Sequence, residues 1–285
     1  MTLRTKARRG ALALAAAAVL ALTGCPGPDG AADGGGAGGR ADAERSLAGR
    51  LDDARALFDL AQKLSIDRRI ETLEQIVRDY PESEVLEEAL LRLALDYYAR
   101  TRLEEAERTC HTIINLFPKS PHVFFPLQFI LDRARQAVDE AGDALARAAA
   151  EARRSGTLSD VLRFLEERTA GGSPASDPLA WAYRVRVHAM RSDSEAVIRD
   201  ATALADAFPS LEGDARNAAV QGGVLDALEE RARALAERGA PGDREAAIAD
   251  LERVIGAYRS SPVLDLGVEK RVRSLEEKLG NLRLE

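Results

Sequence analysis

Cysteine, tryptophan and methionine are almost missing from this 285-residue chain, at two, one and two copies, and aromatic residues make up only 5% of it. Two cysteines cannot staple a disulfide-built scaffold. The shortage of aromatic, Val, Ile and Thr residues argues against a sheet protein or a barrel. Three histidines leave little material for an imidazole metal site. Long apolar runs are lacking too. Ala11 to Leu22 spans 12 residues, about 18 Å as a helix, well short of the ~30 Å hydrocarbon core of a membrane.

What is abundant is Ala, Leu, Arg and Glu, all good helix formers, in a chain that is 46% hydrophobic and 31% charged. That composition predicts a folded, all-α protein.

The first 25 residues read as a basic stretch (Arg4, Lys6, Arg8, Arg9), the short apolar run, and then Leu22-Thr23-Gly24-Cys25. This is the layout of a secretory signal, and its Leu-Thr-Gly-Cys ending resembles the lipobox of bacterial lipoproteins. The resemblance implies a signal peptide over 1–24, cleavage after Gly24, and a Cys25 carrying acyl chains of the palmitate class. Two or more such chains anchor a protein stably where one is marginal. Pro26 and Gly27 stand where such families commonly keep an Asp for inner-membrane retention, so the likeness points to the periplasmic face of the outer membrane.

Without residues 1–24 the chain has 36 basic against 47 acidic residues, a net of −11. Such a surface is a poor partner for nucleic acid or anionic lipid; the lipid is then the expected membrane contact. Residues 25–42 hold seven glycines and no large apolar side chain. They cannot bury enough surface to offset ordering and read as a tether reaching roughly 20 to 25 Å. A phosphate loop is not indicated, because neither a preceding strand nor a Gly-Lys-Ser/Thr ending is present.

Residues 43–285 carry a repeat. Tyr80, Phe117, Phe208 and Tyr258 each end an apolar-periodic run. Counting back 3, 4, 7 and 11 residues gives Val77, Ile76, Leu73 and Arg69; Ile114, Ile113, Cys110 and Ala106; Ala205, Leu204, Ala201 and Val197; Ile255, Val254, Leu251 and Ala247. Fifteen of these sixteen are apolar, and the offsets lie on one face of a helix. Proline follows three of the aromatics, at Pro81, Pro118 and Pro209, where it stops a helix. Ser120-Pro121 and Ser261-Pro262 have the form of a cap followed by a first-turn proline. Ser83 precedes Glu84, Glu87 and Glu88 near a positive helix end. Thr101 with Glu104 and Ser192 with Glu195 have capping-box spacing.

The clearest unit runs from Glu87 to Ser120. Leu93, Ala94 and Tyr97 on its first helix, Ala106 on its second and the closing Pro118 resemble the tetratricopeptide-repeat pattern; Cys110 and Ile113 depart from it mildly. The resemblance covers residues 55–135 well and 190–280 loosely, and implies tandem antiparallel helix pairs stacked as a solenoid of some ten to twelve helices. In such arrays first helices line a groove that accepts peptides. Leu91, Leu95 and Tyr98, a second apolar stripe at i, i+4 and i+7, with Phe125 and Phe129 on the next helix, are the candidates for that groove, and packing against neighbouring helices is the alternative.

No reactive constellation stands out. Cys110 falls on the buried stripe, and His111 beside it points about 100° away. His122 and His188 have no ligand partners at metal spacing. Acidic pairs such as Glu87-Glu88 and Glu166-Glu167 are ordinary solvated helix charge. The expectation is a protein without catalytic residues, metal or small-molecule cofactor. Lipobox, length and the Tyr/Phe-Pro-x-Ser ending together resemble the lipoprotein subunits of the outer-membrane β-barrel assembly machinery, and also the repeat domains of periplasmic cell-division coordinators. Both imply a scaffold that binds other envelope proteins. A reading from another class, an envelope hydrolase with an unrecognised site in residues 135–190, stays open at this level.

Overall fold

A computed structural model describes residues 53–209, 218–260 and 266–284. The signal peptide, Cys25, the 25–42 tether and the Ser261-Pro262 cap lie outside the described residues. Within them the chain is all-α, with consecutive helices packed in tandem and no strand. Two compact units divide between Asp139 and Glu140.

In unit 1, residues 53–61 are helical (α1), followed by α2 (Ile66–Asp79), α3 (Leu86–Ala99), α4 (Leu103–Leu116), a 3-10 turn at Pro121–Val123 and α5 (Phe124–Asp139). From α2 onward each helix packs on the next. Leu73 and Ile76 of α2, Leu90 and Leu93 of α3, Ile113 of α4 and Leu127, Phe129 and Ile130 of α5 are fully buried.

Unit 2 comprises α6 (Ala144–Thr169), α7 (Pro178–Met190), α8 (Ser194–Ala207), α9 (Ala218–Arg238), α10 (Asp243–Ser260) and α11 (Leu266–Leu284). Its core joins Val185, Leu204, Leu228, Val254 and Leu275. Here α9 packs on α7, α8 and α10 at once, the arrangement of a first helix settling on the pair before it. Gly223 makes the close α7–α9 approach possible: a Cβ there would stand 3.1 Å from Ala182 Cβ.

The sixteen repeat positions behave as one stripe. All are buried except Val77, which is half-buried, and the set includes the charged Arg69. Tyr80, Phe117 and Phe208 each cap a helix C-terminus, donating their backbone N–H to Ile76, Ile113 and Ala205. Tyr258 lies inside α10, since Arg259 follows it in place of proline.

Helix starts differ from the sequence reading in three places. Thr101 and Ser192 do not form capping boxes. Each sits one residue before the cap position, at φ of 58° and 59°, as the left-handed residue of a Schellman turn. Thr101 N donates to Tyr98 O and Arg102 N to Tyr97 O; Ser192 N donates to Ala189 O and Asp193 N to His188 O. This pattern satisfies the last carbonyls of α3 and α7. The cap of α8 is Asp193, which accepts from Ala196 N, and α4 starts after Arg102 with no side-chain cap. Ser83 is buried two residues before the cap position of α3, Val85, and does not cap it. Ser120 does cap, accepting from His122 N.

Candidate docking site

The α3 helix is shaped by two opposed demands. Leu86, Ala89, Leu90, Leu93, Ala94 and Tyr97 fill the core side. Leu91, Leu95 and Tyr98 lie on the other side and are half-buried, as is Phe125 at the start of α5. Phe129 is different: it is 1% exposed, and its ring meets Tyr98 edge-on with centroids 5.9 Å apart. Of the five groove candidates, then, Phe129 is a core residue that buttresses Tyr98, and the remaining four keep apolar surface at the boundary with solvent.

Behind this face the pair is held by polar contacts that sequence reading did not find. Arg69 of α2 forms a two-pronged ion pair with Asp96 of α3, Nε to Oδ2 at 2.5 Å and Nη2 to Oδ1 at 2.6 Å, both residues buried. Tyr97 donates its hydroxyl to Glu74 at 2.6 Å, and the Arg102 guanidinium lies over its ring at 4.4 Å. Burial, aided by the Glu74 bond, pushes that hydroxyl well above the ordinary tyrosine range. Ser120 bonds Glu87, tying the end of this hairpin to its beginning. The one available signal was Arg69 itself, the single non-apolar residue in the sixteen-position stripe.

Unit 2 repeats a polar device of its own. Arg184 of α7 reaches back to Thr169 Oγ1 of α6 at 2.8 Å and forward to Asp200 of α8 at 2.9 Å. Arg231 of α9 reaches back to Thr202 Oγ1 of α8 at 3.0 Å and forward to Asp250 of α10 at 2.7 and 2.5 Å. Asp200 and Asp250 both stand eight residues before the terminal aromatic, Phe208 and Tyr258. Each arginine ties three successive helices, and the fork geometry of guanidinium suits it to this.

The 135–190 segment, where a hydrolytic site was conceivable, is helical apart from short turns. His188 there is 4% exposed. Its ring lies 3.6 Å from Asp193 and 3.6 Å from Asp200, at sequence separations of 5 and 12 that are not a metal-site pattern. Burial holds its imidazole below the usual histidine range. The neighbouring cleft of about 250 Å³ is lined by Ala189, Ser192, Asp193, Glu230 and Arg233 among others, and not by His188. Cys110 is fully buried on α4. Among the described residues no group of three potential ligands could hold a metal ion, and no helix is long and apolar enough to cross a membrane.

No curated protein matches this chain. Residues 88–120, which take in nearly all of α3, the whole of α4 and the turn ending at Ser120, match the family model for the tetratricopeptide repeat, and the hairpin carrying Leu91, Leu95 and Tyr98 is thus of tetratricopeptide-repeat type.

Proposed function

We propose that this protein is a lipid-anchored, periplasm-facing scaffold of the bacterial outer membrane that captures other envelope proteins through the α3–α5 face of unit 1 and performs no catalysis. The reading is carried by one observation: within the matched repeat, α3 has filled its core side and still holds Leu91, Leu95 and Tyr98 at the solvent boundary. Repeats of this type serve as platforms for protein–protein interaction, and an extended or helical apolar segment is the occupant such a stripe accommodates. The Leu-Thr-Gly-Cys string supports acylation at Cys25, and the glycine- and proline-rich composition of the residues after it suits a spacer between anchor and folded part.

Assembly of outer-membrane β-barrel proteins is the role we favour, on the combination of lipobox, length and repeat ending. Purification of the chain from detergent-solubilised envelopes should recover barrel-assembly components; recovery of division or cell-wall synthesis proteins instead would move the role to a coordinator of those processes, and no reproducible companion would defeat the scaffold reading. Leu95→Glu should lose at least about tenfold in capture, the effect of one well-packed anchor, with helicity by circular dichroism unchanged. Cys25→Ala should leave the detergent phase; if it partitions as the parent does, the anchor is wrong.

A further inference from the structure

The α7–α8 and α9–α10 hairpins of unit 2 are built on one plan, with Arg184 and Asp200 in the first, Arg231 and Asp250 in the second. Four residues after each arginine the plan breaks. The second hairpin has Leu235, buried in the core; the first has His188, equally buried. Both supply a carbonyl to the turn that ends their helix, His188 O to Asp193 N and Leu235 O to Gly239 N. One hairpin thus carries a proton-binding group where its sister carries an inert one.

Neither ring nitrogen of His188 has a hydrogen-bond partner among the described residues. The two nearest carboxylates already have other duties. Asp193 Oδ1 caps α8 by accepting from Ala196 N at 3.2 Å. Asp200, 1% exposed, is shared by Arg184 at 2.9 Å and Arg199 at 2.8 Å. A charged imidazolium would have two N–H groups to satisfy, and the oxygens they face, Asp193 Oδ2 and Asp200 Oδ2, stand 3.6 Å away. Closing the first gap pulls on Asp193, whose other oxygen holds the α8 cap, and closing the second adds a third cation around one buried carboxylate; both strain the hairpin. From the other packed helices, Arg154 of α6 meets the end of α7 at Met190 O, Glu166 of α6 faces Arg199, and Glu230 and Arg233 of α9 face Asp193 across the cleft.

We propose that the α7–α8 hairpin is an acid-sensitive joint: protonation of His188 loosens the turn at 191–193 and with it the wall of the cleft against α9. An imidazole that binds its proton less readily folded than unfolded leaves the unfolded state holding more protons. The hairpin is therefore fully stable above about 6.5 and weakens as pH falls through that value toward the folded midpoint. His111 and His122 lie exposed on unit 1, so His188 is the one histidine of unit 2; burial also raises the Glu230 carboxyl in the cleft, and the His188→Leu comparison separates the two.

Amide hydrogen exchange on the purified chain between about pH 7.5 and about pH 5, corrected for intrinsic rates, tests the proposal. Protection of Ala196 and Val197 should fall by about tenfold for each pH unit separating the unfolded and folded midpoints, while Ala246 in the sister hairpin holds. His188→Leu, which copies the sister, should abolish the fall. Equal falls in parent and variant, or a flat parent, would overturn the proposal. Should the variant not fold, an NMR titration of the His188 ring in the parent decides: a midpoint below about 6.5 supports it, one at or above that value overturns it.

Discussion

Both units bury arginine–aspartate pairs, but they place them differently. In unit 1 the pair joins the second helix of one hairpin to the first helix of the next, Arg69 to Asp96. In unit 2 it joins the two helices of the same hairpin, and each arginine also reaches back to a threonine on the preceding helix. At the position eight before the terminal aromatic, unit 2 has Asp200 and Asp250 where unit 1 has Thr72 and Thr109. Thr72 and Thr109 spend their hydroxyls on their own helix, bonding Arg68 O and Glu105 O. Apolar stripes alone define a face without fixing how one helix slides along another; a bidentate charge pair fixes that register, and the two units have found separate places to put it.

The comparison breaks most sharply at the pairs themselves. Removing one partner leaves a buried charge uncompensated, so Asp96→Ala should cost about 3 to 5 kcal/mol in urea denaturation, with unit 1 failing first. Asp250→Ala should cost a similar amount with unit 2 failing first. Replacing Arg69 and Asp96 together by Met and Leu should recover most of the loss; a double variant as unstable as the single would show the pair to be indispensable in a way desolvation does not explain.

Smaller in effect is the close approach special to unit 2. Gly223→Val should cost about 1 to 3 kcal/mol, because Ala182 and Leu179 stand where its side chain would go. A neutral result would mean that α7 and α9 lie farther apart. The smallest change is one the units share. Thr101→Gly and Ser192→Gly should each stabilise by about 0.5 to 1 kcal/mol, since a left-handed turn residue without a Cβ is unstrained. Thr101, being β-branched, should gain more than Ser192 in thermal unfolding.

Much of the array was legible residue by residue. The stripes at offsets 3, 4, 7 and 11 were read correctly because burial of a helix face leaves a 3.6-residue period in the sequence itself. The stops at Tyr80, Phe117 and Phe208 followed from proline chemistry at the next residue. The capping boxes at Thr101 and Ser192 were misread because a serine or threonine three residues before a glutamate also arises in a Schellman turn followed directly by a helix. The groove candidates divided once packed: Phe129 turned inward to support Tyr98, and no spacing along α5 distinguishes it from Phe125.

Local chemistry along the chain was therefore sufficient for helix class, for the helix stops backed by proline and for the identity of the buried stripe, because each rests on neighbours within about one or two turns. The pairings Arg69–Asp96, Arg184–Asp200 and Arg231–Asp250, and the burial of His188 between Asp193 and Asp200, were decided only when helices came together. A charged residue in a sequence does not reveal whether water or an opposite charge will meet it; that depends on groups on another helix, and desolvation then turns an ordinary arginine, aspartate or histidine into a determinant of register or of response to acid.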